Sequence, residues 1–171
     1  MKKKGTLFWI TGLSGSGKTS LAKKVLPFIK NKFGATIHLD GDSLRKILDL
    51  HGYSFKDRFS NSIKFTKIAK FLTDQGFNVV FSIVGLMNKT RDWNRKNIEN
   101  YVEIFIDTDL RKIISLNKKK IYKNYRKDIV GLNIKPQFPK NPDIVIFNNL
   151  NNNINSLNLE LQNQITKLLL K

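Results

Sequence analysis

The sequence predicts an α/β fold, a five-stranded and mostly parallel sheet flanked by helices. Three observations carry this expectation. Short apolar, β-branched runs alternate along the chain with stretches of helical period. A glycine-rich loop lies between the first such run and the first helical stretch. The 171 residues, 40% hydrophobic and 26% charged, suit one compact domain over 1–171, and neither an internal repeat nor a second domain is visible.

Residues 6–11, Thr-Leu-Phe-Trp-Ile-Thr, read as a strand buried on both faces. Residues 18–31 follow as a helix, with Leu21, Ala22, Val25, Phe28 and Ile29 at helical spacing. A second strand over 35–39 and a short helix over 43–50 lead to a longer helix from about 56 to 75. Phe59, Ile63, Thr66, Ile68, Ala69 and Leu72 fall mostly on its inner side, and Gly76 closes it. Strands over 77–82, 101–106 and 143–147 complete the sheet, and helices over 89–100, 110–116, 118–127 and 155–171 complete the layers. Residues 130–142 hold three of the four prolines and little period; a loop of that length tends to carry function. The asparagine-rich stretch 148–155 reads as a loop before the last helix.

The chain has no cysteine, which excludes a disulfide scaffold, a zinc-thiolate site and a cysteine nucleophile. No apolar run approaches the ~20 residues that cross a bilayer, and the first apolar stretch is too short for a signal-peptide core, so a cytoplasmic protein without a membrane partner is expected. Lysine and arginine number 31 against 13 acidic residues, a net charge of +18 that attracts anions. Because the lysines run from end to end among many Asn and Ile, compositional bias accounts for much of this charge. A functional share is expected only where lysines meet a phosphate site.

Such a site is present. Gly12, Leu13, Ser14, Gly15, Ser16, Gly17, Lys18 and Thr19 fit the pattern G-x-x-x-x-G-K-[ST], between a buried strand and a helix, with Ser20 next in the helix. Glycines let successive N–H groups turn inward on phosphates, and the helix N-terminus adds partial positive charge. Lys18 would bridge the β- and γ-phosphates of ATP, and Thr19 would offer its hydroxyl to Mg²⁺. The pattern alone does not separate a kinase from a GTPase or a motor, but a small chain with no spare domain favours a small-molecule kinase on a P-loop kinase fold. No Asn-Lys-x-Asp base reader for guanine follows, so adenine is the default base.

Asp40-Gly41-Asp42 stands just after the second strand, at the edge where open α/β sheets bind ligands. Beside a phosphate loop, such carboxylates can take or orient the proton of an acceptor hydroxyl and help hold hydrated metal, which makes Asp40 a second magnesium candidate. Ordinary turn chemistry, with Asp42-Ser43 as a helix cap, is the competing explanation.

Together, Gly12–Thr19, Leu39-Asp-Gly-Asp-Ser-Leu-Arg45, Gly52-Tyr-Ser-Phe-Lys-Asp-Arg58 and Asn61 resemble the adenylylsulfate (APS) kinase family. The resemblance continues through Ser82, Arg91-Asp92, Ile121-Tyr-Lys123, Arg126 and Asn141-Pro-Asp143, in order over nearly the whole chain. It implies transfer of the γ-phosphoryl of MgATP to a nucleotide 3′-hydroxyl by a homodimeric enzyme. By position, Asp40 would be the carboxylate at the 3′-hydroxyl, with Asp42 in support. Arg45, Arg58 and Asn61 would hold the acceptor's phosphate and ribose, Tyr53 would stack on its base, and Ser82 and Ile83 would line its site. Lys119 and Arg126 would fall in a lid over about 116–140, Arg126 on the ATP side. Arginine suits bidentate phosphate contacts and an aromatic face binds any base, although a surface charge and a core aromatic are the plainer readings of Arg58 and Tyr53.

The departures from the family cluster on the acceptor side. The usual Ser-Phe/Leu-Ile-Ser-Pro-Tyr-Arg is here Ser82-Ile-Val-Gly-Leu-Met-Asn88. The arginine usual before the lid is Leu116, its Asp-Pro-Lys-Gly is Asn117-Lys-Lys-Lys, and Leu132 stands where a phenylalanine normally sandwiches the base. Losing one wall of a sandwich removes on the order of 1–3 kcal/mol of stacking. The pattern resembles a branch, the cytidine diphosphoramidate kinases of capsule phosphoramidate biosynthesis; a true APS kinase making 3′-phosphoadenylyl sulfate is the alternative. The charge leaves a third reading, a nucleic-acid-binding phosphate-loop protein or polynucleotide kinase, but no recognition helix, single-strand platform or zinc signature supports it, and nucleic acid is not an expected partner.

Overall fold

A computed structural model of the chain describes residues 3–116 and 128–170. Five strands, β1 (Thr6–Gly12), β2 (Thr36–Asp40), β3 (Asn78–Ser82), β4 (Asn100–Asp107) and β5 (Ile144–Phe147), form one sheet in the order β2-β3-β1-β4-β5. All four pairings are parallel. The connections carry helices α1 (Lys18–Phe33), α2 (Gly41–Ile47), α3 (Phe55–Asp74), α4 (Asn88–Asn97) and α5 (Leu110–Ser115), and α6 (Ile154–Leu169) follows β5. The predicted helix over 118–127 lies outside the described residues. Among those described, no helix is long and apolar enough to cross a membrane.

Alternation along β1 explains its unbroken apolar run. Phe8 and Ile10 enter a core with Val25 of α1 and Leu161 and Ile165 of α6. Leu7 and Trp9 enter the opposite core, with Phe65 of α3 and Phe81 of β3. A third cluster, Leu13, Leu86, Phe105, Ile113 and Val130, joins the C-terminal end of β4 to the segments that follow the strands. Because β1 sits between β3 and β4, the chain leaves its C-terminal end where the strand order reverses, and a crevice for ligands opens there.

Several boundaries differ from expectation for local reasons. The short helix starts at Gly41, because Asp40 and not Asp42 is its N-cap: the Asp40 carboxylate accepts from the Ser43 N–H. α4 ends at Asn97, and β4 starts at Asn100, which registers with Thr6 of β1. The inner face of α3 is more polar than its spacing suggested. Thr66 and Ala69 are buried as expected, but their buried companions are Asn61, Ser62, Phe65 and Thr73, whereas Phe59, Ile63, Ile68 and Leu72 are half-buried. The hydroxyls go inside because Ser62, Thr66 and Thr73 donate to the carbonyls of Phe59, Ile63 and Lys70, three residues back.

Candidate active site

The loop between β1 and α1 is built on positive-φ glycines. Gly12 has φ +154, and a Cβ there would meet the Ile106 carbonyl at 2.7 Å and Ser16 Oγ at 2.9 Å. Gly17, at φ +92, places its successor Lys18 as the first residue of α1. The loop thus wraps the helix N-terminus, where partial positive charge and unpaired N–H groups favour anions. Lys18 is 8% exposed, and its Nζ donates to the Leu13 carbonyl at 2.6 Å, so the ammonium is folded over the loop it would serve.

Asp40 closes this site from the end of β2. Its Oδ2 accepts from Thr19 Oγ1 at 3.0 Å and Ser82 Oγ at 2.9 Å; its Oδ1 accepts from the Ser43 N–H at 3.1 Å and the Ser43 hydroxyl at 3.2 Å. Partial burial works against the charged form. The donors from Ser43, Ser82 and Thr19 outweigh it and hold the carboxyl below its ordinary value. Ser82 Oγ also lies 3.2 Å from His38 Nε2. With the one hydroxyl proton directed at Asp40, Nε2–H is the donor in this pair. Burial lowers the His38 pKa, although the Asp40 charge opposes it, and the imidazole is neutral at pH 7.

A cavity of about 530 Å³ extends from the phosphate loop over Asp40 to α2, α3 and the loop after β3. Ser14, Lys18, Thr19, Asp40, Asp42, Arg45, Tyr53, Arg58, Ser82 and Ile83 all line it, so the fold gathers half of the expected site residues around one cavity. Arg45 and Arg58 flank Tyr53, with guanidinium carbons 4.6 Å and 5.4 Å from the ring centroid. Their donors reach carbonyls: Arg45 to Gly52 at 2.8 Å, and Arg58 to Tyr53 at 2.9 Å and Asp128 at 2.7 Å. Burial, with repulsion from Arg45, lowers the Arg58 pKa.

Other expected residues sit elsewhere. Asn61 is buried in α3, and Ser20 is exposed on α1; neither lines the cavity. Leu132 is 48% exposed and does not line it either; Ile129, Val130 and Ile134 of the same segment do. Lys119 and Arg126 lie outside the described residues.

The structure also supplies residues that sequence reading missed. Asn148, at the end of β5, is 8% exposed and donates from Nδ2 to the Ser16 carbonyl at 2.9 Å, tying the phosphate loop to the far side of the sheet. Its Oδ1 accepts from the Leu150 N–H. Within the asparagine-rich stretch nothing marked it out. His38 was missed as well, although its place two residues before Asp40, on the same face of β2, was a usable signal.

A phosphate loop after the central strand of a five-stranded parallel sheet, faced by a hydrogen-bonded carboxylate, defines a P-loop kinase fold. Residues 4–147 match the family described as adenylylsulphate kinase, and the chain belongs to that family. It is 39% identical over 158 residues to a cytidine diphosphoramidate kinase of Campylobacter jejuni, covering 90% of this chain and 92% of that one. It is 34% identical over 152 residues to an adenylyl-sulfate kinase of Clostridium kluyveri, covering 85% and 76%. An APS kinase of Mycobacterium tuberculosis, solved in complex with AMPPNP and APS, superposes with a TM-score of 0.84 at 30% identity, covering 95% of this chain and 98% of that one.

Proposed function

We propose that the protein transfers the γ-phosphoryl group of ATP to the 3′-hydroxyl of a nucleotide acceptor, and that the favoured acceptor is cytidine diphosphoramidate. The observation that carries this reading is Asp40: a carboxylate kept ionised, 3.0 Å from the phosphate-loop hydroxyl of Thr19, at the junction with the wider cavity. In that position it orients the acceptor hydroxyl and takes its proton as the bond to phosphorus forms. Lys18 and the loop N–H groups hold the phosphates and balance charge on the transferring group. Arg45 and Arg58 present cations to the acceptor's own phosphates. The altered loop after β3 and the likeness to the Campylobacter jejuni enzyme support the cytidine acceptor over adenylyl sulfate.

The residues present fit magnesium. Thr19 Oγ1 and Asp40 Oδ2 are hard oxygen donors side by side, and the described residues hold no cluster of three or more metal-ligating side chains, as suits an ion held largely by substrate phosphates and water. When bound it would neutralise phosphate charge. The reading includes a homodimer in the cytoplasm, acting in capsule phosphoramidate synthesis.

Asp40→Asn tests the reading. Turnover falls by about 10²–10⁴-fold, the usual contribution of a general base, while binding of a non-hydrolysable ATP analogue changes little. Near-full activity in that variant would remove Asp40 from the acceptor role.

A further inference from the structure

The loop that follows β3 and the segment that leads to β5 are joined by hydrogen bonds at Gln137. The Gln137 N–H donates to the Leu86 carbonyl at 3.0 Å. The Gln137 carbonyl accepts from Arg91 Nη2 at 2.7 Å, and its side-chain Oε1 accepts from the Asn88 N–H at 2.8 Å. This last bond has a clear physical purpose. Asn88 is the first residue of α4, and Met87 at the N-cap has no side chain able to cap it. Gln137 therefore caps α4 from outside the helix, across 49 positions of chain.

Beneath it, Arg91 donates to the Gly85 carbonyl at 3.1 Å, and its Nε lies 2.9 Å from Glu103 Oε1, with both side chains almost wholly buried. Gln137 and Arg91 together hold Gly85, Leu86 and Asn88. Gly85, Leu86 and Met87 line the cavity together with Asp42, Arg45, Tyr53 and Arg58, and Leu86 packs against Leu13 of the phosphate loop.

We propose that Gln137 is a positioning residue for the acceptor: by capping α4 and pinning the 85–88 loop, it sets the acceptor-side wall without touching the nucleotide donor. This rests on the reading of the cavity as an acceptor site. The backbone bonds of Gln137 survive substitution, so its side chain can be tested alone, and glutamate at this position retains the capping oxygen and suits a helix N-terminus.

The experiment is steady-state kinetics of the full-length protein and its Gln137→Ala and Gln137→Glu variants with MgATP and cytidine diphosphoramidate, together with calorimetric titration of cytidine 5′-diphosphate and adenylyl sulfate. Gln137→Ala raises the acceptor KM about tenfold, as loss of one positioning hydrogen bond implies, with kcat and the KM for ATP within twofold. Gln137→Glu returns the acceptor KM to within twofold of the unsubstituted protein. A lowered melting temperature with unchanged acceptor KM, or failure of glutamate to rescue, would overturn the proposal. If the unsubstituted protein phosphorylates neither acceptor, the proposed function fails by itself, and the weakened titration of either nucleotide by the alanine variant decides the role of Gln137. Equal binding by all three proteins, or binding by none, would overturn that role as well.

Discussion

Replacing Asn148 with alanine severs the tie between β5 and the phosphate loop. The Ser16 carbonyl, on a fully buried residue, loses a donor at 2.9 Å, which costs about 1–3 kcal/mol when no water can replace it. The Leu150 N–H loses an acceptor in a half-exposed turn, where water restores most of the loss. The sum is about 1–3 kcal/mol. For a chain of 171 residues that corresponds to a melting temperature lower by about 2–12 °C. In the proposed function Ser16 and Gly17 carry backbone that would face the phosphates, so affinity for an ATP analogue is expected to fall about tenfold as well. Asn148→Asp separates the two effects. It keeps the acceptor for Leu150 but sets a carboxylate against the Ser16 carbonyl, beside the anion site, so it weakens nucleotide binding more than alanine does. Differential scanning calorimetry and analogue titration read both quantities. A change below 0.5 kcal/mol, with analogue affinity unchanged, would refute the claim that Asn148 anchors the loop.

Ser82→Ala removes one of the donors that hold the Asp40 pKa down. The carboxylate then protonates at higher pH, and the acid limb of kcat/KM moves upward; an unmoved limb would mean that Ser82 does not tune Asp40. The stability linkage has the same sign. Asp40 titrates below its unfolded value, so its contribution is present above about pH 4 and is lost as pH falls through the folded pKa, and the serine-to-alanine change reduces it. Leu132→Phe leaves the acceptor preference unchanged, because the side chain at 132 faces solvent and not the cavity; a gain in adenylyl sulfate use would show that this position reaches the acceptor after all.

Local chemistry was legible in the sequence and long-range chemistry was not. The phosphate loop can be read from eight consecutive residues because its function lies in backbone turns that only glycine permits. β1 could be read because burial on both faces forbids polar alternation. The acidic turn was read as a site, with a helix cap at Asp42-Ser43 as the competing explanation; Asp40 serves as both the N-cap of α2 and the carboxylate at the phosphate loop. Arg45 and Arg58 were expected to hold the acceptor's phosphate and ribose; what no local pattern recorded is that each also meets backbone carbonyls and the Tyr53 ring, which fixes where their charge sits. Asn148 and Gln137 escaped notice for one shared reason. Each acts on a backbone group far away in the chain, 132 positions for Asn148 and 49 for Gln137, and no local pattern records such a bond.

The acceptor is identified by phosphoryl transfer from MgATP with cytidine diphosphoramidate and adenylyl sulfate offered separately and the products read by phosphorus NMR. A new 3′-phosphate is expected on the cytidine compound, with little transfer to adenylyl sulfate. Strong transfer to adenylyl sulfate with none to the cytidine compound would contradict the proposed acceptor, and would make the altered acceptor loop compatible with sulfate activation.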